Sequence, residues 1–70
     1  MKGVRVMLLE IISKLEEMQE GWLNTAQECK DFGDTTGAAY SRGVATGIDD
    51  SIQKIKKMMD DELVKMAAGN

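Results

Sequence analysis

From Leu8 to Phe32 the residues Leu8, Ile11, Leu15, Met18, Trp22, Thr25, Cys29 and Phe32 recur in alternating steps of three and four, and most of them are apolar. That spacing keeps one stripe on one side of a helix and is the pattern of a coiled-coil seam. The run "FGDTTG" breaks it, after which Ala38, Ser41, Ala45, Ile48, Ile52, Ile55 and Met59 take up the same steps. Leu63 and Met66 extend this second line with one slipped step. No proline interrupts either stretch. Gly33 is placed to end the first helix in a left-handed conformation, and Asp34, Thr35 or Thr36 to cap the second. The chain therefore predicts an all-α fold: an antiparallel two-helix hairpin spanning 1–70 as one domain. Its helices are expected at about 5–31 and about 36–67, with a turn at 32–35.

A hairpin buries one stripe per helix, and this chain carries more apolar residues than that. Leu9, Ile12, Leu23 and Ala26 form a second partial line on the first helix, and Val44, Met58 and Val64 are left over on the second. A domain of this size hides only about 60 % of the surface its unfolded chain exposes, so an uncovered apolar line is costly. Cys29 is the sole cysteine, which removes an internal disulfide as a source of stability. The expectation is self-association, most simply two hairpins in a four-helix bundle, with Leu9, Ile12, Leu23, Val44 and Met58 at the interface.

The segment "YSRGVATGIDD" places Gly43 and Gly47 inside the second helix, where each costs roughly 1 kcal/mol relative to alanine. If cross-helix neighbours have residue numbers summing to about 69, as a turn centred on Asp34 and Thr35 requires, Trp22 falls opposite Gly47. The reading favoured by this geometry is a packing notch in which Gly43 and Gly47 receive the indole of Trp22. The competing reading is a ligand site, with Tyr40 stacking on a base and Arg42, Lys54 and Lys57 holding phosphate.

Most chemistries have no residues to carry them. There is no histidine, and Cys29 sits on the apolar stripe, so nucleophilic and general-base catalysis lack their usual groups and no enzyme is expected. One cysteine and no histidine make a zinc site unexpected, and the adjacent acids Asp49–Asp50 and Asp60–Asp61–Glu62 point about 100° apart on a helix instead of converging on an ion. No metal and no cofactor is expected. Nine basic against twelve acidic residues give a net charge of −3, poor for holding nucleic acid. No apolar run approaches the ~20 residues of a membrane span. "MKGVRVMLLEII" begins with two bases and an apolar stretch, but Glu10 interrupts it and no small-residue cleavage site follows. The expectation is a cytoplasmic protein.

The run "AAYSRGVATGIDDSIQKIKKMM" (38–59) has an aromatic residue, then Gly-x-x-x-Gly-Ile, then isoleucines at helical spacing. In this it resembles small accessory proteins of bacteriophages, prophages and Bacillus-like bacteria. The resemblance covers 22 of 70 residues and carries over no functional residue. What it implies is binding rather than catalysis: a phage or prophage protein that inhibits a host protein, for example in a defence system. The alternatives are an oligomeric sponge for a small anionic ligand such as a cyclic nucleotide, and a purely structural oligomerisation module.

Overall fold

The turn fixes how the two helices meet. The computed structural model describes residues 2–68, without the side chains of Lys2, Val64 or residues 66–68. Helix α1 (Lys2–Asp31) ends where Gly33 takes φ 79°, and α2 (Thr35–Ala68) begins two residues later. Two backbone hydrogen bonds close α1: the Gly33 amide donates to the Lys30 carbonyl at 3.0 Å, and the Asp34 amide to the Cys29 carbonyl at 2.8 Å. This is the Schellman arrangement, and it needs a residue without a Cβ at its left-handed position. The next residue, Asp34, caps α2 by accepting the Gly37 amide on its carboxylate at 2.8 Å. One end and one start are thus satisfied within three residues.

The expected hairpin is what forms: two helices packed along each other, with no other element among the described residues. Both helices run slightly past their expected bounds, to Lys2 at one extreme and Ala68 at the other. The molecule measures 57 × 19 × 10 Å, with a radius of gyration of 16.4 Å. A compact chain of this length would have about 11 Å. Its exposed area, 5491 Å², exceeds by roughly 1,200 Å² the value expected for a compact monomer of this mass.

On α2 the seam is the expected one from Ala38 to Met59: Ala38, Ser41, Ala45 and Ile52 are buried, and Ile48, Ile55 and Met59 half-buried. Leu63, expected to extend it, is exposed, and Met66 lies outside the described side chains. On α1 it is rotated. Leu8, Leu15, Trp22 and Cys29 face inward as expected, but the other inward positions are Ile12, Gln19 and Ala26. Ile11, Met18, Thr25 and Phe32, expected in the seam, are exposed, Phe32 at 90 %. Counted outward from the turn, seven inward positions on each helix face one another: Cys29 against Ala38, Ala26 against Ser41, Trp22 against Ala45, Gln19 against Ile48, and so on to Leu8 against Met59. These neighbours sum to 67 rather than 69, because the turn is centred on Gly33 and Asp34, one residue earlier than expected. The half near the turn is lined on α2 by the small residues Ala38, Ser41 and Ala45. The open half is filled by branched and long aliphatic side chains. No buried side-chain nitrogen or oxygen lacks a hydrogen-bond partner among the described residues.

Candidate functional site

With the seam known, the residues that border it follow. On one side lie those just before Ile12, Gln19 and Ala26 on α1, and before Ala38, Ala45, Ile52 and Met59 on α2. With one more at each open end the set is Val4, Ile11, Met18, Thr25, Gly37, Val44, Ser51, Met58 and Lys65. A single one of these nine is charged. On the other side lie the residues just after the remaining seam positions: Leu9, Glu16, Leu23 and Lys30 on α1, with Arg42, Asp49, Lys56 and Leu63 on α2. Five of these eight are charged.

Contacts across the hairpin confirm which positions share a side. On the charged flank Lys56 Nζ reaches Glu16 Oε2 at 3.9 Å, and Leu23, Lys30 and Arg42 line one shallow recess together with Ala26 and Gln27. On the apolar flank the rings of Trp22 and Tyr40 meet edge to face, centroids 5.9 Å apart and planes at 70°. There too Gly37 comes against Cys29: a Cβ built on it would lie 3.0 Å from the Cys29 Sγ and closer still to the Asp34 carboxylate.

The nine positions of the apolar flank offer no free hydroxyl. Its two uncharged polar side chains, Thr25 and Ser51, both turn back onto their own helices. Thr25 Oγ1 donates to the Gly21 carbonyl at 3.0 Å and Ser51 Oγ to the Gly47 carbonyl at 3.1 Å. Covering this face would therefore strand no hydroxyl, and stranded donors are what make polar surface expensive to bury. Ile11, Met18 and Met58 are all large and all exposed on it.

Three sequence expectations need correction here. First, Gly43 and Gly47 make no notch for Trp22: a Cβ built on either meets nothing within 4 Å, so both face open space. The small residues that the seam of α2 buries are instead Ala38, Ser41 and Ala45, each at most 3 % exposed. Among the described residues, the glycine whose Cβ would crowd its neighbours is Gly37, against the side chains of Asp34 and Cys29. Second, the expected interface residues do not share a face. Ile12, 5 % exposed, belongs to the hairpin's own seam. Leu9 and Leu23 lie on the charged flank, and Val44 and Met58 on the apolar one, beside Ile11 and Met18. Val64 lies outside the described side chains.

Third, the four expected ligand contacts do not converge within one chain. Tyr40 and Arg42 are two positions apart, about 200° around the helix, and fall on opposite flanks. Lys54 and Lys57 lie about 18 Å and 22 Å further along from Arg42. Both are already engaged, Lys54 with Asp50 at 2.9 Å and Lys57 with Asp61 at 3.4 Å. The hydrogen bond to the Asp50 carboxylate, with the carboxylate's charge, raises the Lys54 pKa above the usual lysine value. Elsewhere along the helices Lys14 pairs with Glu17 at 3.7 Å and Lys65 with Glu62 at 3.7 Å.

The site residues that sequence reasoning missed are Ile11 and Met18, assigned to the seam, and Lys30, which stands beside the expected Arg42. Lys30 and Arg42 line a recess of about 360 Å³ with Leu23 as its apolar wall. Neither makes an ion pair with a carboxylate among the described residues. No cluster of three or more metal-ligating side chains occurs among the described residues, and no helix is long and apolar enough to cross a membrane. Set against family models, curated proteins and solved structures, the chain finds no match.

Proposed function

We propose that this chain is a non-catalytic binding protein whose working form is an assembly of hairpins joined through the apolar flank, leaving the charged flank to meet another partner. One observation carries the reading: a nearly charge-free face, with its hydroxyls internally bonded, runs the length of a hairpin only two helices thick. An isolated two-helix layer cannot bury both sides of its helices, and covering a flank is how such a layer acquires a second one. The resemblance to small phage and prophage accessory proteins supports a cytoplasmic role of this type, in which a host protein is held and inhibited by contact.

A second reading rests on Lys30 and Arg42. Two cations beside an apolar wall suit a small anion, or an acidic side chain of a partner protein. Tyr40 cannot join them within one chain, so the nucleotide-sponge reading loses its stacking residue and narrows to anion binding on the charged flank.

Sedimentation of wild type against two single-charge variants tests the main reading. Wild type should sediment as a dimer or larger at micromolar concentration. Met18→Glu, on the apolar flank, should weaken association at least tenfold, the usual consequence of burying an unpaired charge. Leu23→Glu, on the charged flank, should leave the mass unchanged. A wild-type species of 7.7 kDa at every concentration would overturn the proposal.

A further inference from the structure

Resting on that reading, we infer that the occupant of the apolar flank is a second copy of this chain, docked head to tail, so that the turn of each hairpin lies at the open end of the other. The surface excess of roughly 1,200 Å² over a compact monomer is ample for the ~800 Å² per partner of a standard interface. The direction of docking follows from the rims of the flank, the positions one step further round each helix. On α1 these are Met7, Lys14, Gly21 and Glu28; on α2 they are Tyr40, Gly47, Lys54 and Asp61.

Gly21 lies between the seam positions Gln19 and Trp22, and Gly47 between Ala45 and Ile48. Since Gln19 faces Ile48 and Trp22 faces Ala45, the two glycines stand at one height, mid-length, on opposite rims. Each opens onto empty space, so neither is required by packing within the chain, although each weakens its helix. Room at both rims at one level is what a crossing partner uses.

Two symmetric arrangements bring a second copy onto this face. With both turns at the same end, α1 lies along α2 of the second copy. Lys14 then meets Lys54 twice, which is repulsive. With the copies head to tail, each helix lies antiparallel on its own counterpart, and a two-fold axis at the level of Gly21 and Gly47 sets the register. Lys14 and Glu28 stand one heptad either side of Gly21, so each Lys14 faces Glu28 of the other copy. Lys54 and Tyr40 stand one heptad either side of Gly47, so each lysine faces an aromatic ring. The exposed pairs these lysines make within the chain are weakly held and exchange at little cost. The same axis brings the turn, with its bare Phe32, to the level of Glu10 and Ile11 of the second copy. Charge thus selects the head-to-tail arrangement.

Single cysteines in a Cys29→Ser background test it, placed at sites that face open space and so leave the hairpin unstrained. Gly21→Cys and Gly47→Cys each sit at the two-fold axis and should each oxidise with themselves to a disulfide dimer, about tenfold or more faster than Gly43→Cys on the far side. Cross-linking only when Gly21→Cys and Gly47→Cys are mixed would establish the turns-together arrangement and overturn this inference while sparing self-association. Equal, slow rates for all three in a protein that sediments as a dimer would likewise overturn it. A monomer by sedimentation would remove the underlying reading as well.

Discussion

The two flanks of this hairpin border the same seam, come from the same two helices, and differ by a single step around each. One holds five charges in eight positions and the other one in nine. The charged flank has an interhelical ion pair and a shallow recess lined by two cations; the apolar flank has an aromatic pair and hydroxyls folded onto their own backbone. A face that water keeps needs charges to hold it in solution, and exposed ion pairs contribute little else. A face meant to be covered must lack unpaired charges and free donors in advance. The contrast teaches that, on the proposed reading, a second layer is specified outside the seam.

The comparison breaks or sharpens with truncations. Met58, on the apolar flank, is 66 % exposed in the hairpin and Leu23, on the charged flank, 47 %. Were both flanks bare, removing Leu23 would cost more. We expect the opposite order: Met58→Ala should lower the unfolding free energy in urea by about 2 kcal/mol, and Leu23→Ala by about 0.5 kcal/mol. The Met58 loss should also shrink on dilution, since it acts through association. Equal losses independent of concentration would erase the distinction between the flanks.

A smaller effect separates glycines that face solvent from those the chain itself requires. Gly43→Ala, on the far side from both the seam and the apolar flank, should stabilise by up to about 1 kcal/mol and raise Tm by roughly 4–8 °C. Gly37→Ala should give no such gain, because its Cβ meets the Asp34 carboxylate and the Cys29 sulfur. A rise for Gly37→Ala matching that of Gly43→Ala would show that the capping contact is dispensable.

The smallest effect belongs to the charged flank. Lys56→Gln removes the pair with Glu16, both partners about half exposed, and should cost a few tenths of a kcal/mol at low salt and nothing measurable in 1 M salt. A loss above about 1 kcal/mol would mean that this flank contributes to holding the helices together.

The fold class, the turn and the α2 seam from Ala38 to Met59 were legible from spacing and from the residues of "FGDTTG". Half of the α1 seam was not. Leu8, Leu15, Trp22 and Cys29 are common to two possible stripes, and the choice lay between Ile12, Gln19, Ala26 and Ile11, Met18, Thr25. Hydropathy favours the second set, yet the first is buried. What decides is the Gly33–Asp34 connection, which delivers α2 onto the side of α1 where Ala26 lies. Its small residues Ala38, Ser41 and Ala45 then sit against Ala26 and Trp22. The more apolar line was left outside, and that is why it was mistaken for the seam. The flank residues could have been found by noting that α1 has apolar residues on both sides of its inward column. The glycine notch failed for a related reason: a register error of two residues exchanges Gly47 for Ala45.

The short loop at Phe32–Asp34 also has a kinetic consequence. Every seam contact joins residues whose separation grows step by step from the turn, from nine for Cys29 with Ala38 to fifty-one for Leu8 with Met59. Such a chain can close like a zipper, each contact shortening the loop that the next must close, and helical proteins of this low contact order fold in microseconds to milliseconds. Amide exchange should then be slowest beside Trp22 and Ala45 and should quicken towards the open end, where the two termini part first.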